Sequence, residues 1–426
     1  MSTATVDERP AMAFASTSSS LLSDFEYRTF WLSSSAWVLA SRALAVLVGF
    51  QLYAITKNPL VLGWLGLVEA IPAVSLVLYG GHFADQHDRR FTIIWSRGVV
   101  VALSVMLVFV SAFESDYTVA LLLLLSFLAA CARAFADPAQ AAFEGQIVPR
   151  HAAVQSGVLL GGGYQAMCVT GPALAGIAYD LIGPVATYAV IALVFAYSTV
   201  ANFGIESRPV PESHKELNAL QSIREGITYV LSSQVLIASM ALDLFAVLFG
   251  GAIALLPIFA TDILNVGATG FGFLNAAPAI GSVSIMLIAM RYPPKRYAGR
   301  VFYTAVAGFG CAMIAFGLSE NFLLSFALLA IAGMCDGISV VVRRAITRLF
   351  APDAMRGRVS AVSTVFIGSS NELGAFESGM AASVLGTARS VWIGGILTLA
   401  VVALAIVKAP KLLNLDLEKA QRERDA

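Results

Sequence analysis

The chain alternates long apolar runs with short polar segments, and each run is about as long as a helix that crosses a bilayer. A helix needs about 20 apolar residues to cross a hydrocarbon core of about 30 Å. A membrane β-barrel would show shorter segments of alternating residues instead. The pattern therefore predicts an all-α membrane protein. The predicted spans, numbered 1 to 12, are approximately 32–56, 60–82, 91–113, 117–137, 155–180, 183–204, 235–262, 268–290, 299–319, 321–342, 358–385 and 389–408.

Composition agrees with this pattern and excludes several other classes of protein. Of the 426 residues, 58% are hydrophobic and 13% are charged, and the mean hydropathy is +0.79, which does not fit a soluble domain. The net charge of +0 leaves no basic surface for nucleic acid. Neither a nucleotide-binding loop nor a set of catalytic side chains is recognisable, so we expect no enzyme and no cofactor. The four cysteines fall inside predicted spans without paired spacing, which predicts neither a disulfide nor a metal site.

Basic residues predict the orientation of the spans. With the amino terminus in the cytosol and the spans alternating, 23 of the 27 Lys and Arg residues flank the cytosolic ends, and only Lys57 and Arg389 lie on the opposite side. Positive charge is retained on the cytoplasmic side of bacterial membranes. We therefore expect a multi-pass protein of the bacterial inner membrane with both termini in the cytoplasm.

Three stretches recur about two hundred positions apart. The run from Arg42 to Gly49 is echoed 201 positions later, from Asp243 to Gly250, and Glu69-Ala-Ile-Pro-Ala is echoed 206 positions later by Asn275-Ala-Ala-Pro-Ala. The third echo links the stretch after Cys131 to that after Cys335. Parallel repeats of this kind build secondary transporters from two six-helix bundles. The expected divisions are a disordered tail (1–30), an N-terminal bundle (31–204), a linker (205–234), a C-terminal bundle (235–408) and a cytosolic tail (409–426).

The loop between spans 2 and 3 carries the most specific motif. It reads Gly-Gly-His-Phe-Ala-Asp-Gln-His-Asp-Arg-Arg from Gly80 to Arg90. This resembles the loop signature of the major facilitator superfamily, although Asp88 stands where that signature has a glycine. The loop from Pro352 to Val359 is similar to that of exporters related to the enterobactin exporter. The resemblance implies a lock that closes the cytosolic side, and an alternative role for the basic pair is to anchor the topology. The residues implied in this cytosolic gate are Gly81, Asp85, Arg89, Arg90, Arg133, Arg356 and Arg358.

Span 5 contains a second, partial resemblance. Gly171-Pro-Ala-Leu-Ala-Gly176 is similar to the antiporter signature of the superfamily, with Ala175 and Met167 standing for glycines. Small residues at this spacing also let membrane helices pack closely. The motif is therefore compatible with proton antiport and equally with helix packing alone.

Charged side chains inside the spans are the candidates for cargo binding or proton coupling, because an ionised group at mid-membrane costs about 2.5–3.5 kcal/mol. Arg42 and Asp243 occupy equivalent repeat positions, which suggests a pair across a central cavity that responds to protonation. One alternative is a static ion pair that only neutralises the two charges. Another is that each side chain faces a different water-filled crevice. Glu69 and Glu372 could carry protons, bind cationic cargo or form structural pairs. The candidate set is Arg42, Glu69, Asp243, Asn275, Glu372, Gln165 and Asn371.

These observations together predict a transporter. The leading hypothesis is export of a small amphipathic molecule, siderophore-like or drug-like, by alternating access and proton coupling. An importer or lipid flippase of the same fold is one alternative, and a transport-inactive sensor or scaffold is another. The expected partners are a small-molecule substrate, protons and the lipid bilayer, with the protein acting as a monomer and binding no nucleic acid.

Overall fold

A computed structural model describes residues 21–113, 115–208, 219–294, 296–352 and 355–425. Over these ranges the chain is helical and contains no strand. The principal helices are α1 (Phe25–Thr56), α2 (Pro59–Ser75), α3 (Val77–Gln86), α4 (Arg89–Ala112), α5 (Thr118–Ile147), α6 (Ala153–Ala201), α7 (Ala219–Ser232), α8 (Gln234–Gly250), α9 (Gly267–Arg291), α10 (Ala298–Gly317), α11 (Phe322–Phe350), α12 (Arg356–Leu385) and α13 (Thr387–Lys408).

Long apolar helices confirm the predicted fold class. Among the described residues, nine helices are long and apolar enough to cross a membrane, or ten if α2 and α3, bent by 46°, form one span. The helix α6 breaks at Gly183, whose φ of 77° lies in the left-handed region that glycine adopts without strain. This break falls between predicted spans 5 and 6. The count of twelve spans stays a prediction, as do the bundle boundaries.

Two boundaries differ from the sequence-based expectation. The helix α1 begins at Phe25 behind an Asp24 cap, and Tyr27 and Phe30 are buried, so the predicted disorder is wrong for residues 21–30. Residues 1–20 of that predicted tail lie outside the described residues. The helix α5 continues to Ile147, ten residues beyond predicted span 4. Its last turns carry charged and polar residues that lower the hydropathy without ending the helix.

The helices of each half pack mainly with one another. Helices α1–α6, called here the first-half helices, are joined by the α1–α6, α4–α5 and α4–α6 contacts. Helices α8–α13, the second-half helices, are joined by the α9–α11, α10–α13 and α10–α11 contacts. We call the side where α1 begins and α13 ends the terminal side, and the opposite side the far side.

The two halves meet at the far side. The helix α2 packs on α12 and α6 packs on α9 through glycines, with a Cβ on Gly176 falling 2.3 Å from the carbonyl oxygen of Ala268. Gly63 and Gly379 approach each other in the same way. Toward the terminal side, by contrast, Gly81 on α3 and Gly157 on α6 have open space among the described residues. The close glycine contacts between the halves therefore lie at the far side.

The predicted linker contains a helix. The described part of this connection includes α7, which lies against α12: Gly226 packs on the backbone of Arg358, and the Tyr229 hydroxyl donates to the Phe350 carbonyl oxygen at 2.8 Å. The C-terminal segment also folds back, with Leu412 buried against Gly299 of α10. The linker helix α7 and the C-terminal segment are thus both packed on the second-half helices.

Candidate functional site

A cavity of about 510 Å³ lies between the two halves, within the size range of small-molecule sites. Its walls come from α1 and α2 of the first half and from α8, α9, α10, α11 and α12 of the second half. Phe271, Phe309 and Met313 form part of an apolar surface. The charged and amide side chains that line it are Arg42, Glu69, Asn275, Asp336, Asn371 and Glu372. Five of the seven candidates predicted from the sequence are thus brought to one cavity.

Arg42 lies on the first-half wall. Its guanidinium donates to the Tyr164 hydroxyl of α6 at 2.5 Å, and its Cζ lies 5.6 Å from the centre of the Tyr164 ring. Among the described residues, no carboxylate lies within ion-pair distance of Arg42. Its charge is therefore held by an aromatic group rather than neutralised, and it remains available to an anionic or acceptor group in the cavity.

Glu69 is paired on the same wall. The Arg133 guanidinium of α5 lies 3.3 Å from the Glu69 carboxylate, and both side chains are about three-quarters buried. The resemblance places Arg133 in the cytosolic gate, but its described ion pair is with Glu69 at the cavity rather than with Asp85 of the motif loop. The physical reason is that α5 extends past the predicted span and places Arg133 at the depth of the cavity.

Two carboxylates on the second-half wall have no such partner. Glu372 of α12 and Asp336 of α11 line the cavity, and neither forms an ion pair with another described residue. The wall therefore presents negative charge that a proton or a cationic group could neutralise. Asn371 and Asn275 lie beside these acids in the lining. Gln165 is not in the lining, and its amide donates instead to the Met286 sulfur of α9 at 3.9 Å.

Asp243 is buried within the second half and does not meet Arg42. Its carboxylate forms an ion pair with Arg343 of α11 and accepts a hydrogen bond from the Ser339 hydroxyl at 3.2 Å. The predicted Arg42–Asp243 pair is therefore wrong in this conformation. Equivalent repeat positions place the two groups at similar depth, but the α8 side chain points toward α11 of its own half.

The motif loop makes contacts within the first half. The Asp85 carboxylate near the end of α3 lies 3.5 Å from the guanidinium of Arg89 at the start of α4, and this guanidinium donates to the Ala142 carbonyl oxygen at 3.1 Å. Arg90 donates to the carbonyl oxygens of Asn202 and Phe203, at the end of the helical segment that follows α6.

The resemblance also implies a contact of this loop with the start of α12, and no such contact is present among the described side chains. Arg358 pairs with Glu225 of α7, and the side chain of Arg356 lies outside the described part. A Cβ added to Gly81 would meet no described atom within 4 Å. The lock therefore stays a prediction.

Polar contacts supplement the glycine packing at the far side. Asp262 accepts a hydrogen bond from the Tyr53 hydroxyl, and its carboxylate lies 3.6 Å from the Lys57 ammonium. Asp180 accepts from the Thr269 backbone N–H at 2.8 Å, which caps the start of α9 from the other half. These contacts close the cavity on this side.

Comparison with known proteins agrees with this architecture. The family described as transmembrane secretion effector matches residues 16–424, which is nearly the whole chain. The chain belongs to the transmembrane secretion effector family. It is thus a membrane transporter of the major facilitator type.

Two relatives of this protein are named as an efflux pump and an exporter. The multidrug efflux pump Tap of Mycobacterium tuberculosis is 24% identical over 308 residues, covering 69% of this chain and 72% of that protein. The enterobactin exporter EntS of Shigella boydii is 22% identical over 344 residues, covering 79% and 80%. These similarities extend across most of both chains.

Solved structures show the same fold. A D-xylose–proton symporter aligns with a TM-score of 0.72 at 13% identity, covering 92% of this chain and 100% of that one. A bacterial homologue of the iron transporter ferroportin in an inward-facing state aligns with a TM-score of 0.66 at 19% identity, covering 91% and 98%. At these identities the likeness concerns the fold.

Sequence reasoning missed a buried arginine of this secretion effector. Arg97 of α4 is 1% exposed and donates to the hydroxyls of Ser33 and Ser198 at 2.9 and 3.0 Å. It also donates to the Gln140 side chain and lies 4.6 Å from the Trp37 ring. The network joins α1, α4, α5 and the end of α6. Its sequence signal was an arginine amid the apolar residues of span 3, but its neutral partners could not be recognised from spacing.

Proposed function

We propose that this protein exports a small amphipathic molecule from the bacterial cytoplasm by alternating access coupled to protons. The observation that carries the proposal is a cavity between the halves whose close inter-half contacts lie at the far side. The distribution of Lys and Arg favours a cytosolic terminal side, with both termini in the cytoplasm of a monomer in the inner membrane. In that orientation the cavity receives cargo from the cytoplasm.

The lining supports amphipathic cargo. Phe271, Phe309 and Met313 provide apolar contact, while Arg42 and Glu372 provide opposite charges on the two walls. A molecule with an apolar body and polar ends can satisfy both kinds of surface. The names of the relatives, a multidrug efflux pump and an enterobactin exporter, also favour export.

The carboxylates support coupling to protons. An ionised Glu372 without a cation costs free energy at this depth, so either a proton or a cationic group of the cargo stabilises the site. Exclusive occupancy by one or the other would couple the two movements. Glu69 can take part in the same way when its contact with Arg133 changes during rocking of the halves.

Secreted and retained metabolites of cells with and without the gene test the direction of transport. Export predicts compounds that accumulate inside the deletion strain and return to the medium on complementation. The opposite distribution would identify an importer, altered leaflet lipids would identify a flippase, and unchanged pools would leave a sensor or scaffold. Any of these three results contradicts the proposal.

Variants then test coupling with the compound so identified. In proteoliposomes, Glu372→Gln and Glu69→Gln are expected to abolish accumulation driven by a proton gradient. Glu377→Gln is the matched control, because Glu377 lies on the same helix as Glu372 but outside the cavity lining. Gradient-driven accumulation that survives both cavity substitutions would show that these acids do not couple transport to protons.

A further inference from the structure

Three hollows follow one another through the second-half helices. The first is the main cavity, and the second, lined by Asp243, Asp336 and Ser339, lies beside it. The third, lined by Asp243, Arg343 and Ser363, is a cleft too narrow to hold a water molecule. Asp336 belongs to the first and second hollows, and Asp243 belongs to the second and third. Two carboxylates therefore stand at the two junctions of the series.

The wall between the first two hollows is otherwise apolar. The residues that line both are Val247, Phe309 and Asp336, of which Asp336 alone has a group that binds protons. The second hollow has a volume of about 10 Å³, close to the space that one water molecule needs. Proton movement between the main cavity and Asp243 thus has one polar route, the Asp336 carboxyl group.

The series leads from mid-membrane toward the terminal side. Asp336 lies midway along α11, and Arg343 lies seven residues nearer the terminal end. Ser339 is three residues after Asp336, so all three share one face of the helix. Asp243 of the neighbouring α8 faces them, because it bonds both Ser339 and Arg343.

Charge is unequal in this cluster, with two carboxylates beside one arginine. Arg343 is engaged by Asp243 in an ion pair between side chains that are each 6% exposed. Asp336 has no cation within ion-pair distance among the described residues. A second ionised carboxylate at this depth is costly, and a proton removes that cost. The arrangement therefore favours one bound proton distributed over two acids.

We propose that Asp336 and Asp243 share one exchangeable proton, which Asp336 passes between the main cavity and the Asp243–Arg343 pair. In the transfer, the O–H bond of neutral Asp336 breaks and an O–H bond forms on the Asp243 carboxylate, directly or through one water. Asp336 is left ionised, Asp243 is left neutral, and Arg343 keeps its charge. The proposal rests on the proposed proton coupling and extends it from Glu69 and Glu372 in the cavity to a second cluster beside the cavity.

The transfer alters the contact between α8 and α11. Neutral Asp243 binds Arg343 less strongly than the carboxylate does, so proton arrival loosens the ion pair that joins these helices. Such a change can shift the balance between the two open states of the transporter. The other titratable or charged groups facing Asp336 are Cys335 on α11, Cys311 on α10, and Arg42, Glu69 and Glu372 around the cavity.

Distance measurements between spin labels test this without knowledge of the cargo. Labels report opening of the far side when placed on cysteines at Leu181, beside the Gly183 break of α6, and at Leu323, at the start of α11; both positions are exposed. The background carries alanine at the four native cysteine positions. We expect its far-side-open fraction to change between about pH 5.5 and about pH 8.5. Asp336→Asn is expected to abolish this change, and Asp336→Glu to retain it with a displaced midpoint.

Control variants separate the proton role from a general effect on folding. Glu377→Gln removes a carboxyl group outside the three hollows and is expected to titrate like the background. Asp336→Ser is a second neutral variant in case the asparagine does not fold. A titration that persists in a folded neutral variant overturns the proposal, as does a background without a pH response. Export measured in cells does not depend on this pH titration. Failure of the proposed proton transfer and failure of the exporter hypothesis are therefore distinguishable.

Discussion

A methyl group added to the far-side contact should open that side of the protein. A Cβ on Gly176 would lie 2.3 Å from the Ala268 carbonyl oxygen and 3.1 Å from the Cα of Gly272. Both contacts involve backbone atoms, which cannot rotate away as a side chain can. Gly176→Ala therefore forces α6 and α9 apart in the closed arrangement and removes no contact in a conformation where they are already separate.

The size of the effect follows from the cost of overpacking. Extra atoms in a close-packed contact cost about 1–3 kcal/mol. A free-energy difference of about 1–3 kcal/mol shifts an equilibrium about 5- to 150-fold. Alanine also raises helix stability by about 1 kcal/mol relative to glycine. Gly98→Ala gives the same increase in helix stability but adds its Cβ into open space, so it is the matched control.

Alkylation of a cavity cysteine measures the opening. A cysteine at Ala45, which lines the cavity, is introduced without the native cysteines and treated with a membrane-impermeant maleimide from the far side. Gly176→Ala is expected to raise the rate about 5- to 150-fold, and Gly98→Ala to leave it unchanged. Equal rates in the two variants would show that the glycine contact does not determine closure.

Three further predictions concern the charged groups. Asp180→Asn weakens the cap on α9 by about 0.5–2 kcal/mol and should raise the same alkylation rate, whereas an unchanged rate would exclude a role of this cap in closure. Asp243→Asn leaves Arg343 without its carboxylate and should destabilise the purified protein by about 3–5 kcal/mol, measured by unfolding in detergent. A second substitution, Arg343→Met, should restore much of this loss of stability. Equal instability of the single and double variants would contradict the pairing. Arg97→Lys cannot reproduce the guanidinium contacts of this buried site, so its melting temperature should fall, and an unchanged melting temperature would show that a point charge suffices.

The span pattern and internal repeat predicted much of the architecture and part of the site. Equal periodicity in the two halves placed Glu69 and Asn275 at matching depths, and both line the cavity. Arg42 and Glu372 were found by the cost of charge inside an apolar run. The depth of these residues could be predicted because depth in a membrane is set by position along a helix, which the sequence records directly.

Rotation about the helix axis was much harder to predict. Asp243 lies at the expected depth but faces α11 of its own half, since its partner Arg343 had been assigned to a cytosolic flank. Arg133 was misplaced for the same reason. Charged residues in the last turns end a hydropathy window before they end the helix, so groups buried inside a bundle are mistaken for residues of a loop.

The contact between Gly176 and the backbone of α9 has a thermodynamic consequence for the transport cycle. Glycine has no rotamers to lose, so formation of this contact requires no ordering of side chains. Closure at these positions depends on the shapes of two helix backbones, and the residues that select cargo can change while this surface stays the same. One scaffold of this kind can therefore serve chemically different molecules with a common closing step.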